Sequence, residues 1–447
     1  MKISITENLK IKIIIALFIS LMFILIFIKI SNDTNQEKIE LRQKQELFDV
    51  IDKKSNVNIS KYTVYGTHFN IEGTIDIQKV SGIKINYVDL IAKKLNGEEI
   101  TVKSTFSYSD NTLAFSSSDK INDGLNLELL DPGEYYLLLK LTYSNSDVKY
   151  YSFKNSSNYG NTKYYTITKN NSNNEINIEF NKHNEIPYMF INVAKATKLP
   201  DDVYDIAIDP GHGGSDLGAK SGDYTEAELV LNCSKILKSK LEEMGLKVFL
   251  SRDGNEPKNK NLEDKMFDND GKVNIMQESH AKLIISLHIN ENKSKSGGVE
   301  VYAPNNCNLD FAELLAKNIV EKANTNYSEI TGFKKSDGVY VRTFNNADIL
   351  ALKSRANKNK YEPYNVTTST TFTSIIRETG GIATGAYVDG RNTSYGKNKY
   401  YNSNVGIECY LIKLGFMSVE NDLNNIVKYQ NNYIDAIADA IKNLYIL

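Results

Sequence analysis

Three residues at three separate places could build one reaction centre. His212 follows an apolar run in Asp209-Pro210-Gly211-His212-Gly213-Gly214, Glu226 opens a helical pattern, and His288 stands just past the apolar run 283–287. Two imidazoles and one carboxylate form a ligand set for zinc that leaves a fourth tetrahedral position open, as a catalytic ion requires. The glycines after His212 would let the backbone come close to such an ion. Spacing alone leaves open a glycine turn beside two unrelated histidines.

Elements that could position these residues alternate along the second half of the chain. Residues 204–208 read as a short strand ending in Asp209-Pro210-Gly211. From about Glu226, the residues Leu229, Cys233, Ile236, Leu237 and Leu241 fall at helical spacing, and Gly245 stops that helix. Residues 247–250, 283–287, 299–303 and 411–416 read as strands, and the last of these contains Leu411, Ile412, Leu414 and Phe416. Phe311, Leu314, Leu315, Ile319 and Val320 mark another amphipathic helix, and Ile434, Ile437, Ile441 and Leu444 mark a closing one. Alternating strands and helices predict an α/β domain. Loops beyond the strand ends of such a sheet gather at one edge, where these folds bind ligands.

The motifs themselves resemble a known family. Asp209-Pro210-Gly211-His212-Gly213-Gly214-Ser215-Asp216-Leu217-Gly218-Ala219 is similar to the opening motif of the zinc-dependent N-acetylmuramoyl-L-alanine amidases, the Amidase_3 family. Thr225-Glu226-Ala227-Glu228-Leu229 resembles its helix-start segment with the glutamate ligand. Ile285-Ser286-Leu287-His288-Ile289-Asn290 resembles its second histidine motif, and Leu414-Gly415-Phe416-Met417-Ser418 its closing motif. The likeness covers residues 203–447. It implies a mixed, mostly parallel sheet flanked by helices, with zinc held by His212, Glu226 and His288. It also implies hydrolysis, in peptidoglycan, of the amide between the muramic acid lactyl group and L-alanine of the stem peptide. In the family a glutamate on the last strand takes the proton of the attacking water and passes it to the leaving amine.

Here the sequence departs from the family. The glutamate position, two residues before the glycine of the closing motif, is Lys413. A lysine accepts a proton only in its neutral form, which zinc and burial would favour. The catalytic base is therefore unassigned, with Glu378 and Glu408 as substitute candidates. Glu408 lies five residues upstream on the same strand, an odd offset that points it to the opposite face. Glu378 lies in an insertion at about 345–404, rich in Thr, Tyr, Asn and Gly. Such a segment reads either as a lid or binding loop or as a solvated excursion. Some relatives occlude the zinc with an inserted helix until an activator displaces it, so an activator protein of unknown identity is a candidate partner. The leading expectation is a zinc amidase. One alternative is a degenerate amidase fold that binds peptidoglycan as a scaffold or regulator. A second is a zinc peptidase cutting within the stem peptide.

The first half of the chain carries no catalytic constellation. Residues 13–28 are apolar except for Ser20, with Lys10 and Lys12 before them and Lys29 after. A span needs about 20 residues, and the flanking lysines could extend this one. The small-residue pair of a cleavage site is missing, so residues 1–31 read as an uncleaved signal-anchor with a transmembrane helix. The positive-inside rule would place everything after it on the extracytoplasmic side of a single-pass membrane protein. Residues 32–57 are polar and charged and read as a stalk or linker. Residues 58–196 alternate in strand fashion, with turns at Asn96-Gly97, Asn122-Asp123-Gly124 and Asp131-Pro132-Gly133, and predict a small β-sandwich-like module. His68 and His183 are isolated within it. The chain's 447 residues suit two or three domains. Lys and Arg number 53 against 55 Asp and Glu, so nothing supports nucleic acid as a partner. The three cysteines, with no CxxC pair, exclude a disulfide framework and a cysteine zinc site.

Overall fold

The structure is a computed structural model that describes residues 7–78, 82–167, 173–262, 270–291, 297–360, 366–386 and 400–445. It opens with a long helix, α1 (Glu7–Asp49). Residues 13–28 lie within α1, although the side chains of 13–17, 23, 24 and 27 are outside the described set. Among the described residues no helix is long and apolar enough to cross a membrane, so the expected transmembrane helix gains no support from the structure. The stalk expected over 32–57 is only partly a linker. The end of α1 buries Leu47 and Phe48, and Ile51 follows them, against Tyr136, Leu138, Tyr188 and Phe190 of the strands beyond.

Those strands divide into two antiparallel groups around one apolar core. One group contains Ile85–Lys93, Gly133–Tyr143, Val148–Lys154, Asn173–His183 and Ile186–Lys195. The other contains Val57–Tyr65, His68–Asp76 and Thr112–Ser116. Leu90, Leu137, Leu139 and Ile176 of the first meet Ile59, Phe69 and Ile71 of the second in the core. The groups join where Val57 and Asn58 pair in parallel with Phe153 and Lys154.

The second half folds around a seven-stranded sheet. In chain order its strands are β1 (Ile206–Pro210), β2 (Val248–Leu250), β3 (Leu283–Asn290), β4 (Glu300–Tyr302), β5 (Lys334–Ser336), β6 (Val339–Tyr340) and β7 (Glu408–Phe416). In space they run β2-β1-β3-β7-β4-β6-β5. The pairs β1–β2, β1–β3, β3–β7 and β4–β6 are parallel, while β4–β7 and β5–β6 are antiparallel. The central strands are buried on both faces, which explains their near-continuous apolar runs.

On one face α2 (Glu226–Glu243), α4 (Asp310–Ala323) and α7 (Gln430–Tyr445) supply Leu229, Leu237, Leu315, Ile319, Ile434 and Ile437 to the larger core. On the other, α3 (Lys272–Glu278) and α6 (Ser374–Thr379) lay Val273, Met276, Ile375 and Ile376 over Ala207, Ile284, Cys409 and Leu411. α6 belongs to the insertion. The described part of that segment therefore includes a structural layer of the sheet, which the sequence pattern had not suggested. The exposed α5 (Asn346–Asn359) precedes it, with its start fixed by a capping box between Asn345 and Asp348. Directly after the insertion comes Val405–Gly406, which pairs in parallel with Val64 and Tyr65 of the β module. That pairing joins the two halves of the molecule. Beside it a cavity of about 360 Å³ lies between them, lined by His68, Glu128, Lys282, Glu408 and Tyr445.

Candidate metal centre

The C-terminal ends of β1 and β3 and the start of α2 meet at one edge of the sheet. Thr225 caps α2, its hydroxyl accepting from the Glu228 N–H, an interaction that typically contributes about 1 kcal/mol. The cap fixes where the helix begins and so where Glu226 sits. After β1 the chain turns sharply, with His212 held in the left-handed region at φ 61°. A non-glycine residue adopts that conformation only when its surroundings over-determine it. Arg252, 6% exposed, supplies part of that constraint. Its Nε donates to the Pro210 carbonyl, and one Nη donates to both the Gly211 and Ala227 carbonyls. It thus ties the His212 turn to the first turn of α2. Behind it, buried Asp209 accepts from Ser251 and Ser286 and pairs with Lys272 at 3.2 Å.

One ligand atom from each of His212, Glu226 and His288 lies within 4.8 Å of the others. Glu226 is 3% exposed and approaches both rings, at 3.0 Å from His212 Nε2 and 3.1 Å from His288 Nδ1. Its oxygens also accept from the Ala219 and Ile289 backbone N–H groups. Burial alone would raise its pKa, but the hydrogen bonds and charges of the two histidines outweigh that and hold the carboxyl well below its usual range. For His212, burial pulls down while Glu226 and Asp216 push up, and the carboxylates win, raising it to about 9. Two glycines are needed for this approach. A Cβ on Gly211 would fall within 2.6 Å of the His288 ring, and one on Gly218 would meet Glu226 Oε2 and His212 at 2.7 Å.

These residues fit a zinc ion. Two imidazoles and a carboxylate are zinc donors, and the glycine cradle leaves no side chain to block their convergence. Asp216 completes the fit. Its Oδ2 lies 2.9 Å from His212 Nδ1, a partner for a proton on that nitrogen, while Nε2 is directed towards Glu226 and the cluster. Asp216 lies within the opening motif, but the motif itself assigns it no role. Its position four residues after the histidine, across a glycine turn, was the available signal.

Lys413 pairs in register with His288 on β3 and with Glu300 on β4. Its Nζ donates to Asn290 Oδ1 at 3.1 Å and lies 3.9 Å from Glu300 Oε2. Burial lowers its pKa, the charges of Glu300 and Glu226 raise it, and Arg342 lowers it again, for a net fall. Glu300, fully buried, is the carboxylate that sequence reasoning missed. It accepts from Asn290, Tyr302 and Ser328. Glu408 is on the opposite face at the other end of β7, where Asn122 and Tyr410 donate to it. It is a junction residue and not a substitute base. Glu378 is fully buried and takes a hydrogen bond from Arg377 Nε at 2.8 Å, so its carboxylate serves an ion pair inside α6.

The fold and site together are an α/β sheet with, at one edge, a His–Glu–His cluster able to hold a metal ion. The comparisons narrow this. The sequence model of the N-acetylmuramoyl-L-alanine amidases, Amidase_3, matches residues 206–443, more than half of the chain, and the protein belongs to that family. N-acetylmuramoyl-L-alanine amidase LytC of Bacillus subtilis is 30% identical over 156 residues, which cover 35% of this chain and 30% of LytC. The chain thus spans under a third of that relative. Among solved structures, AmiC2 of Nostoc punctiforme is 19% identical over 54% of this chain and 97% of its own, with a TM-score of 0.33. The catalytic domain of CwlV from Bacillus (Paenibacillus) polymyxa is 17% identical over 54% of this chain and 98% of its own, with a TM-score of 0.34.

Proposed function

We propose that this protein is a zinc-dependent amidase that hydrolyses the bond between the muramic acid lactyl group and L-alanine in peptidoglycan. The observation that carries this reading is the convergence of His212, Glu226 and His288 in a chain of the amidase family. Zinc held by these three would polarise the scissile carbonyl and acidify water at the open position. The chain's own residues do the rest. Asp216 fixes the His212 tautomer, Glu226 stays ionised, and Arg252 holds the His212 turn and the Glu226 helix start in one frame.

A second reading is favoured by Lys413. Where the family has a glutamate, this chain has a cation bonded to Asn290 and close to Glu300. In that reading the fold binds peptidoglycan without cutting it. One experiment separates the two. The zinc-loaded full chain and its Lys413→Glu variant are incubated with peptidoglycan, and newly exposed N-terminal alanine is assayed. Release by the native chain supports the amidase. Release by Lys413→Glu alone marks a binding protein that has lost its base. Zinc-loaded proteins that both leave the bond intact would overturn the amidase reading, and new N-termini other than alanine would indicate a peptidase acting within the stem.

We further propose a membrane-anchored, extracytoplasmic location. Its support is the apolar stretch 13–28 with its flanking lysines, on which Phe18, Leu21, Leu25 and Ile28 are exposed. Protease added to intact cells should remove the C-terminal part, and protection until lysis would refute this placement.

A further inference from the structure

Along the sheet from the metal centre, on the same face, stand two cations served by one carboxylate. Lys413 is level with His288 on the neighbouring strand, and its side chain is 26% exposed. Its ammonium has three donors. Among the described residues only one of these has a hydrogen-bond acceptor, Asn290 Oδ1, and Glu300 is 3.9 Å away with its oxygens already accepting from Asn290, Tyr302 and Ser328. Nζ lies 5.1 Å from the centre of the Tyr302 ring. Two residues beyond β6, on the face of Tyr302 and Tyr340, comes Arg342. Its guanidinium carbon lies 3.5 Å from the Phe372 ring centre and 5.5 Å from that of Phe333. Its Nε is buried without a hydrogen-bond partner, and no described carboxylate pairs with it. A guanidinium laid flat on an aromatic ring is fixed in direction, and its planar donors match a carboxylate.

We infer that Lys413 and Arg342, on either side of Tyr302, form a subsite for a carboxylate of the molecule bound at the metal centre. The inference rests on the peptidoglycan reading above and deepens it. It gives Lys413 a task, since an ammonium beside the metal edge can hold an anion where the family has a glutamate. Phe372 belongs to the insertion, so the insertion helps to orient Arg342. Two carboxylates could occupy the subsite, one on the stem peptide and one on the lactyl group once the peptide is gone.

The test is binding, measured calorimetrically with the full, zinc-loaded chain. The probes are a muramoyl peptide with free stem carboxylates, the same compound with those groups converted to carboxamides, and N-acetylmuramic acid, which has only the lactyl carboxylate. The free-acid peptide should bind about tenfold or more tightly than the carboxamide, as expected for charge-assisted hydrogen bonds. Lys413→Met and Arg342→Leu should each collapse that ratio towards one, and Arg342→Lys should restore part of it. Thermal unfolding of each variant checks that it is folded. If N-acetylmuramic acid carries the preference instead, the subsite holds the lactyl group. Equal binding of acid and amide forms by the native chain overturns the subsite while leaving the peptidoglycan reading intact. Failure of every muramoyl probe to bind overturns both.

Discussion

Glu408 and Lys413 stand five residues apart on β7, on opposite faces and at opposite ends of the sheet. Glu408 is half-buried at the junction with the β module, with Asn122 and Tyr410 donating to it. Lys413 is part-exposed at the metal edge, and among the described residues only Asn290 accepts from it. One charge has been absorbed into the architecture and the other left available. Position in the fold decided this, because an unpaired buried charge is costly whereas a rim charge can wait for a partner. The two ends of one strand should thus be separable by mutation, with metal and ligand effects at one end and stability effects at the other.

The largest expected effect is at the metal edge. His288→Ala removes one of three zinc donors, and metal content after dialysis should fall from about one ion per chain to near zero. The unfolding of the β module should not move. Retention of full zinc by the variant would break the assignment of the cluster. Asp216→Asn is the milder change. It keeps the three donors but weakens the partner of His212 Nδ1, so zinc affinity should drop about 10- to 100-fold in a chelator competition. An unchanged affinity would mean that Asp216 only shapes the turn.

At the junction the readout changes. Asn122→Ala removes a donor to Glu408 and the acceptor for the Asn308 N–H. It should cost about 1–3 kcal/mol in denaturant unfolding, with zinc content unaltered. A loss of zinc in this variant would show that the two ends of β7 are coupled.

The sequence made one end far more legible than the other. His212, Glu226 and His288 each follow a strand end or open a helix, so apolar periodicity pointed to one sheet edge, and the likeness to the amidase motifs singled them out as one ligand set. The β module showed itself through alternation and turn residues. Glu408 could not be understood the same way, because its partner Asn122 is 286 residues away in another layer. The strand Val405–Gly406 has only two residues and so no period to read, yet it stitches the chain after the insertion to the β module. Glu300 was hidden for a similar reason. It lies in the run 299–303, where a strand pattern reports burial but not the cross-strand neighbour, and that neighbour is Lys413.

The smallest effect has the clearest signature. Burial raises the pKa of Glu408, opposed by the hydrogen bonds from Tyr410 and Asn122. The folded chain therefore keeps a proton that the unfolded chain has released once pH passes the ordinary carboxylate value of about 4.3. Where the folded state binds more protons than the unfolded, stability falls as pH rises. The contribution of Glu408 is thus fully present below that value and is lost as pH climbs to the raised folded value. Glu408→Gln keeps the shape and cannot titrate. At low pH it should be within about 1 kcal/mol of the native chain. The native chain should then lose ground to the variant as pH rises towards neutrality. Tyr65, Cys307, Cys409 and Tyr410, which face the same carboxyl, are present in both proteins, so the difference between the two pH profiles isolates Glu408. Parallel profiles would show that this carboxyl titrates normally and that the junction tolerates its charge.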